Sequence, residues 1–288
     1  MPSISMIIPT LNAGKDIANL LEKLLKQSQP LAEVIVIDSS SDDNTLEIAK
    51  QYNGVKTIKI PRKEFNHGLT RDMGIQKACG DFVCFVTQDA IPADNKYIEN
   101  LVAPLLDDPN IGMTSGRQLP KEDARPFERL VRKYSYPKQS YERDLRDVPK
   151  YGLKTFYVSD VCSCYRRKLI IELGGFGSCK ISEDMLMAYR IVKAGYKIAY
   201  VADAEVYHSH NFTMWQQYSR NKEIAEFLEA NRDLFGEMSE LGQGANLFSQ
   251  VLTELIKTGR MKESFAFIGN CAARFLGNRI GHWGYKNR

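Results

Sequence analysis

Four polar clusters punctuate the first ninety residues, each at the end of an apolar run: Pro9-Thr10-Leu11-Asn12, Asp38-Ser39-Ser40-Ser41-Asp42-Asp43-Asn44-Thr45, Phe65-Asn66-His67-Gly68 with Arg71, and Thr87-Gln88-Asp89-Ala90. Ligands of parallel α/β sheets bind at the carboxyl edge, where strands end. Any one cluster fits an Asx turn or a helix cap, and Asp43 suits an N-cap. Four in succession favour a shared binding edge. Further on, Ser182-Glu183-Asp184 places two acids at a helix start, a position that the helix dipole also favours on its own account. His208 and His210 share one strand face, where they could equally cap a strand end. Carboxylate and imidazole are groups that take protons or hold divalent cations.

The elements that must position these residues follow from periodicity. Ser5–Pro9, Glu33–Asp38, Val55–Ile60 and Phe82–Thr87 read as buried strands. Ile17, Leu20, Leu21, Leu24 and Leu25 recur at i, i+3, i+4, i+7 and i+8 and predict a helix with one apolar face. A shorter helix around Leu46–Ala49, another at Leu69–Ala78 stopped by Gly80, and one at Asp94–Leu106 complete an alternation of strand and helix, the signature of βαβ units. Residues 117–154 are basic, rich in Tyr and Pro and irregular, a long and partly helical excursion. A strand over Thr155–Tyr165, a turn at Gly174-Gly175, a helix over Glu183–Lys193 and strands at Lys197–Val201 and Glu205–His208 follow. From Thr213 the pattern is helical to about Asn278, with a break at Gly242 to Gly244.

The 288 residues are 43% hydrophobic and 26% charged with net charge +4, which excludes wholesale disorder and leaves ample core for one large α/β domain with an extension. Six cysteines without a CxxC pair read as reduced packing residues of a cytosolic protein, with Cys162 and Cys164 expected to point their thiols apart. No run approaches the ~20 apolar residues needed to span a bilayer, and the N-terminal run is short for a signal peptide. Residues 117–154 hold eleven Lys/Arg against six Asp/Glu, and residues 257–288 seven against one. Such basic surface suits pyrophosphate, anionic lipid or nucleic acid, or is simply a solvated face. No reading motif for nucleic acid accompanies it.

The series IIPTLN, EVIVIDSSSDDNT, FNHGLTRDMGI, GDFVCFVTQDA and SEDMLMAYRIVKAGYKIAYV resembles the family 2 glycosyltransferases of the GT-A fold, in order and spacing, over about residues 3–212. FNHG…TRD, TQDA in place of an acidic triad, and YHSHNFT resemble the bacterial rhamnosyltransferases within it. The resemblance implies a Rossmann-like, mixed and mostly parallel α/β sheet flanked by helices. It implies a glycosyltransferase domain over 1–212, with a nucleotide-sugar half (1–115) and an acceptor-side half (116–212), and a helical C-terminal extension over 213–288.

Carried over residue by residue, the resemblance gives Asp38 the pyrimidine N–H, with Pro9 and Thr10 lining the base and Asn12 and Ser40 beside them. Arg71 would position the diphosphate, as a guanidinium fork fits phosphate oxygens, with His67 assisting or merely capping its loop. Thr87-Gln88-Asp89 aligns with the acidic triad, its first acid lost, so Gln88 and Asp89 face the nucleotide. Asp89 with His208 (or His210) would hold Mg²⁺ or Mn²⁺. Asp184 takes the place of the general base with Glu183 in support, and Asp160 and Trp215 belong to the acceptor side.

The expected function is inverting transfer of L-rhamnose from dTDP-rhamnose to a glycan acceptor, polyprenyl-diphosphate-linked, in bacterial surface polysaccharide assembly. Transfer from a UDP-hexose or UDP-N-acetylhexosamine, and a non-catalytic nucleotide-sugar-binding scaffold, are the alternatives. A sugar nucleotidyltransferase would need a glycine-rich phosphate loop, which Asn12-Ala13-Gly14-Lys15 does not supply. The expected site of action is cytoplasmic, peripheral at the inner face of the cell membrane. Phe265–Ile280, with Phe265, Phe267, Ile268, Phe275, Leu276 and Ile280 beside Arg274 and Arg279, fits an interfacial helix or a helix packed into a core.

Overall fold

The computed structural model describes residues 2–236 and 241–286. Nine strands form one mixed sheet: β1 Ile4–Thr10, β2 Glu33–Asp38, β3 Val55–Lys59, β4 Phe82–Val86, β5 Ile91–Pro92, β6 Ile111–Leu119, β7 Tyr141–Arg143, β8 Cys162–Arg166 and β9 Lys197–Tyr207. Their order is β3-β2-β1-β4-β8-β6-β9-β5, with β7 on β9. β3, β2, β1 and β4 pair in parallel. β8 then joins β4 antiparallel, and β6 joins β8 in the same sense.

β1, β2 and β4 are buried on both faces, which is why their sequences read as unbroken apolar runs. Met6, Ile8, Val34, Val36, Cys84 and Val86 pack on one face with the helix Ile17–Leu25. That helix buries Ile17, Leu20, Leu21 and Leu24 and leaves Leu25 outside. The parallel register sets Thr10 opposite Asp38, so the polar ends of β1 and β2 lie flush at one edge.

Four features differ from the reading of the sequence. β6 has no counterpart among the expected strands, because Gly112, Thr114, Ser115 and Gly116 dilute its apolar pattern; it is nonetheless buried along most of its length. The strand expected over Thr155–Tyr165 is only β8, with Gly152–Phe156 a 3₁₀ turn before it. The two strands expected at 197–208 are one, β9, running through Ala202-Asp203-Ala204. Cys162 and Cys164 lie in the same core cluster as Cys84, since residues two apart in a strand share a face; their thiols do not diverge. All six cysteines are free thiols.

The chain divides into two compact units. The first comprises residues 1–118, 138–147 and 155–208 and carries the sheet. The second comprises 119–137, 148–154 and 209–288. Its longer helices are Pro126–Ser135, Met214–Ala230, Leu241–Lys257 and Met261–Lys286, and Phe127, Val131, Val251, Leu255 and Phe267 of the first, third and fourth form a core. Thr213 opens Met214–Ala230 with a capping box closed by Gln216. The break expected at Gly242 to Gly244 falls inside the first turn of Leu241–Lys257; helix expected over 237–240 lies outside the described residues. No helix among the described residues is long and apolar enough to cross a membrane.

Candidate active site

Two constellations form at the carboxyl edge of the first unit. At the ends of β1 and β2, Asp38 is fully buried. Its carboxylate accepts from Thr10 Oγ1 at 3.2 Å, from the Ser41 N–H at 2.9 Å and from the Ser41 hydroxyl. Asn12 braces the same edge, donating its N–H to Ser41 Oγ and accepting from the Asp42 N–H. Ser40 donates its hydroxyl to the Ile60 carbonyl. Pro9 stands opposite Ile37 in the β1–β2 register. Gln88 turns inward: its amide donates to the Leu11 carbonyl and accepts from the Leu11 N–H, like one rung of a sheet ladder. That pair holds the loop after β1 against the loop after β4.

Beyond Gln88, Asp89 Oδ2 lies 3.6 Å from His208 Nε2. His208 is buried, and its Nδ1 donates to Gln118 Oε1 at 2.9 Å. This bond fixes the tautomer that turns the Nε2 lone pair toward Asp89, the arrangement a metal-ligating imidazole requires. An oxygen and a nitrogen donor so placed fit Mg²⁺ or Mn²⁺. His210, two residues further on, opens the second unit, where its ring stacks on Phe212 at 4.7 Å. Gln118 was missed by sequence reasoning because it closes β6, the strand lost among basic residues.

The second constellation is acidic. The helix His67–Lys77 starts at Asn66, whose side-chain oxygen caps the N–H groups of Gly68 and Leu69 and also accepts from Cys179. Gly68 is obligatory there, since a β-carbon would strike the Gly177 carbonyl. One turn on, Arg71 is buried with Nε 3.0 Å from Asp160 Oδ2 and Nη1 2.9 Å from Glu183 Oε1. Asp160 also accepts from Ser163 and Tyr165 at 2.6 and 2.7 Å. Asp72 receives the N–H groups of Phe176 and Gly177, both at 2.8 Å. The Asn66…Thr70-Arg71-Asp72 motif thus organises the loop and helix start that carry the acids. Arg71 faces carboxylates in this structure, whereas the resemblance gave it the diphosphate. His67 is half exposed, 3.9 Å from Glu183 and edge-on to Phe65.

Asp184 has a different environment from its neighbours. It accepts from the Met185 N–H and, at 3.3 Å, from the Asp160 N–H. Arg71 forms ion pairs with Asp160 and Glu183 and acts on Asp184 through its field. Burial, then the charges of Glu183 and Asp160, push the Asp184 carboxyl up to about 8. Phe85, Tyr165 and Phe176 meet edge to face beside this network, and the Arg71 guanidinium lies 5.6 Å from the Phe85 ring. A carboxylate held among like charges is one that gains from taking a proton.

Among the described residues, positive φ outside glycine occurs only at Asn12 (53°), Ser40 (61°) and Ser182 (60°). All three border these constellations, and strained backbone gathers where a site over-determines it. Trp215, expected on the acceptor side, belongs to the second unit, is 72% exposed and stacks on Tyr218 at 5.2 Å.

The model of glycosyl transferase family 2 matches residues 5–174. The O-antigen chain rhamnosyltransferase RfbN of Salmonella typhimurium is 37% identical over 287 residues, 97% of this chain and 90% of its own. The O-antigen chain rhamnosyltransferase WbaN of Salmonella anatum is 38% identical over 291 residues, 98% of this chain and 90% of its own. Among solved structures, the mannosyltransferase PcManGT from Pyrobaculum calidifontis, in complex with GDP-Man and Mn2+, superposes with a TM-score of 0.68 at 19% identity, over 98% of this chain and 88% of its own. GalNAc-T7 with UDP, GalNAc and Mn2+ gives 0.59 at 22% identity, over 80% of this chain and 48% of its own. Those two likenesses speak to the fold, which is GT-A. With the family model spanning more than half the chain and two relatives spanning nearly all of it, this chain belongs to glycosyl transferase family 2.

Proposed function

We propose that the protein transfers L-rhamnose from dTDP-rhamnose, with inversion, to a hydroxyl of a lipid-linked glycan in surface polysaccharide assembly. The rhamnosyl reading is supported by the two Salmonella relatives, whose likeness extends over the whole reading frame of elements described above. The observation that carries the chemistry is Asp184, an acid kept basic by burial and by two neighbouring carboxylates that Arg71 holds in place.

In this reading the acceptor oxygen bonds to the anomeric carbon from the face opposite the diphosphate. The bond from that carbon to the phosphate oxygen breaks, its electron pair leaves with dTDP, and the acceptor's proton passes to Asp184. Asp38, with Thr10 beside it, meets the pyrimidine edge. Asp89 and His208 would hold a divalent ion. When bound, that ion supplies the positive charge that offsets the leaving diphosphate.

The test compares the parent with Asp184→Asn in the presence of Mn²⁺, dTDP-rhamnose and acceptor. Turnover should fall about 10²-fold or more while donor affinity stays near that of the parent. Turnover within a few-fold of the parent would remove Asp184 from the base role. Running UDP-glucose and UDP-N-acetylglucosamine beside dTDP-rhamnose separates the sugar assignment from the mechanism, and absence of any donor turnover would favour a binding scaffold.

A further inference from the structure

The helix Met261–Lys286 is packed inside out. Its inward face is made of small and polar residues: Ser264, Asn270, Gly277 and Gly281 are buried, with Phe267 as the one large apolar side chain among them. Gly277 and Gly281 let it approach the helix Met214–Ala230 so closely that a β-carbon at either would strike the carbonyl of Tyr218 or Lys222. The outward face carries the bulk. Met261, Phe265, Ile268, Ala272, Phe275 and Arg279 recur at alternating steps of four and three and so share one side. Phe265 is 70% exposed, Phe275 57%, Leu276 56% and Trp283 68%, with Ile268 and Ile280 also outside.

Large side chains turned outward over a glycine-mediated helix contact is the pattern of helices that meet lipid rather than water. Yet no helix among the described residues is long and apolar enough to cross a bilayer. The segment that carries the stripe is also basic. Residues 257–288 hold seven Lys/Arg and one Asp/Glu, and Arg279 lies within the stripe, its guanidinium 5.6 Å from the Phe275 ring. A second copy laid on the same face would bring two such basic fields together, whereas anionic headgroups complement them.

We infer that this face of Met261–Lys286 docks on an anionic lipid bilayer, with Phe265, Ile268, Phe275 and Leu276 entering the headgroup–acyl boundary while Arg279 meets the phosphates. Phe267 and Arg274 do not take part: the first fills the core of the second unit, and the second turns inward to Asn270 Oδ1 at 3.0 Å. The inference stands on this surface alone and not on which sugar is transferred.

The test is co-sedimentation of the full chain with phosphatidylcholine vesicles made with or without phosphatidylglycerol, at low and high salt. The parent should bind the anionic vesicles at low salt and release as salt screens the headgroups. The triple variant Phe265→Ser, Phe275→Ser, Leu276→Ser alters only exposed positions and should keep the parent's circular dichroism while losing binding about tenfold or more. Failure of the folded parent to bind anionic vesicles at low salt overturns the inference, as does equal binding by the variant. A dimer of the parent that the variant dissociates, with no vesicle binding by either, assigns the face to a second copy instead.

Discussion

Arg71 lies beside two carboxylates. A guanidinium near a family's diphosphate site invites the reading that it clamps phosphate. Its partners, Asp160 and Glu183, lie about ninety residues or more further along the chain, beyond the reach of spacing arguments. Removing one member of a buried ion pair costs about 3–5 kcal/mol, so Arg71→Met should lower unfolding free energy by that order in urea titrations. A variant as stable as the parent but weakened in nucleotide binding would restore the phosphate role. Asp184 carries the opposite sign. Its carboxyl is raised in the folded protein from 3.8 to about 8. The contribution of the protonated acid is therefore complete below the lower value and lost as pH rises through the higher one. Asp184→Asn, which cannot ionise, should melt above the parent by a margin that widens from about pH 5 to pH 9, read by calorimetry; a margin independent of pH would refute the raised carboxyl. Glu183 and Asp184 were legible in sequence because a helix start shows its own acids. Gln118 and Asp72, which orient His208 and the Phe176-Gly177 loop, were not, because orienting residues have no motif of their own.

At the scale of elements, legibility followed burial. β2 and the helix Glu183–Lys193 were read to the residue, and β1 and β4 within one or two, since a strand covered on both faces must be apolar throughout. β6 was hidden by its glycines and hydroxyls, one of which, Thr114, donates to the Leu101 carbonyl inside the fold. β8 was overdrawn because Thr155–Val161 has strand-forming composition but lacks a partner strand. The C-terminal helices were legible as helices and not as to which side faced in, because the face that packs is chosen by glycine rather than by leucine. That choice predicts a large effect from a small change. Gly277→Ala should destabilise by about 1–3 kcal/mol, the range for overpacking a close contact, whereas Ala272→Leu on the outward face should leave thermal unfolding within about 0.5 kcal/mol of the parent. Equal tolerance at both positions would contradict the packing.

For the molecule as a whole, ligand linkage offers a reading of the donor that needs no acceptor. A ligand at 100 times its dissociation constant stabilises by about 2.7 kcal/mol, and each kcal/mol moves the midpoint of a protein near this size by about 2–4 °C. With Mn²⁺ present, dTDP should therefore raise the midpoint by about 5–10 °C, and GDP or ADP at equal concentration by less, if the base meets Asp38 and Thr10 as proposed. Equal shifts from purine and pyrimidine diphosphates would sink that assignment. The strand order also sets a timetable for the newborn chain. β4 is central in the finished sheet, but its neighbour β8 is translated only from Cys162 onward. At about 5–20 residues per second, the ribosome leaves the edge of β4, apolar on both faces, uncovered for some seconds. An open edge of this kind recruits other strands, so synthesis of this protein depends on keeping nascent chains apart until residue 166 has emerged.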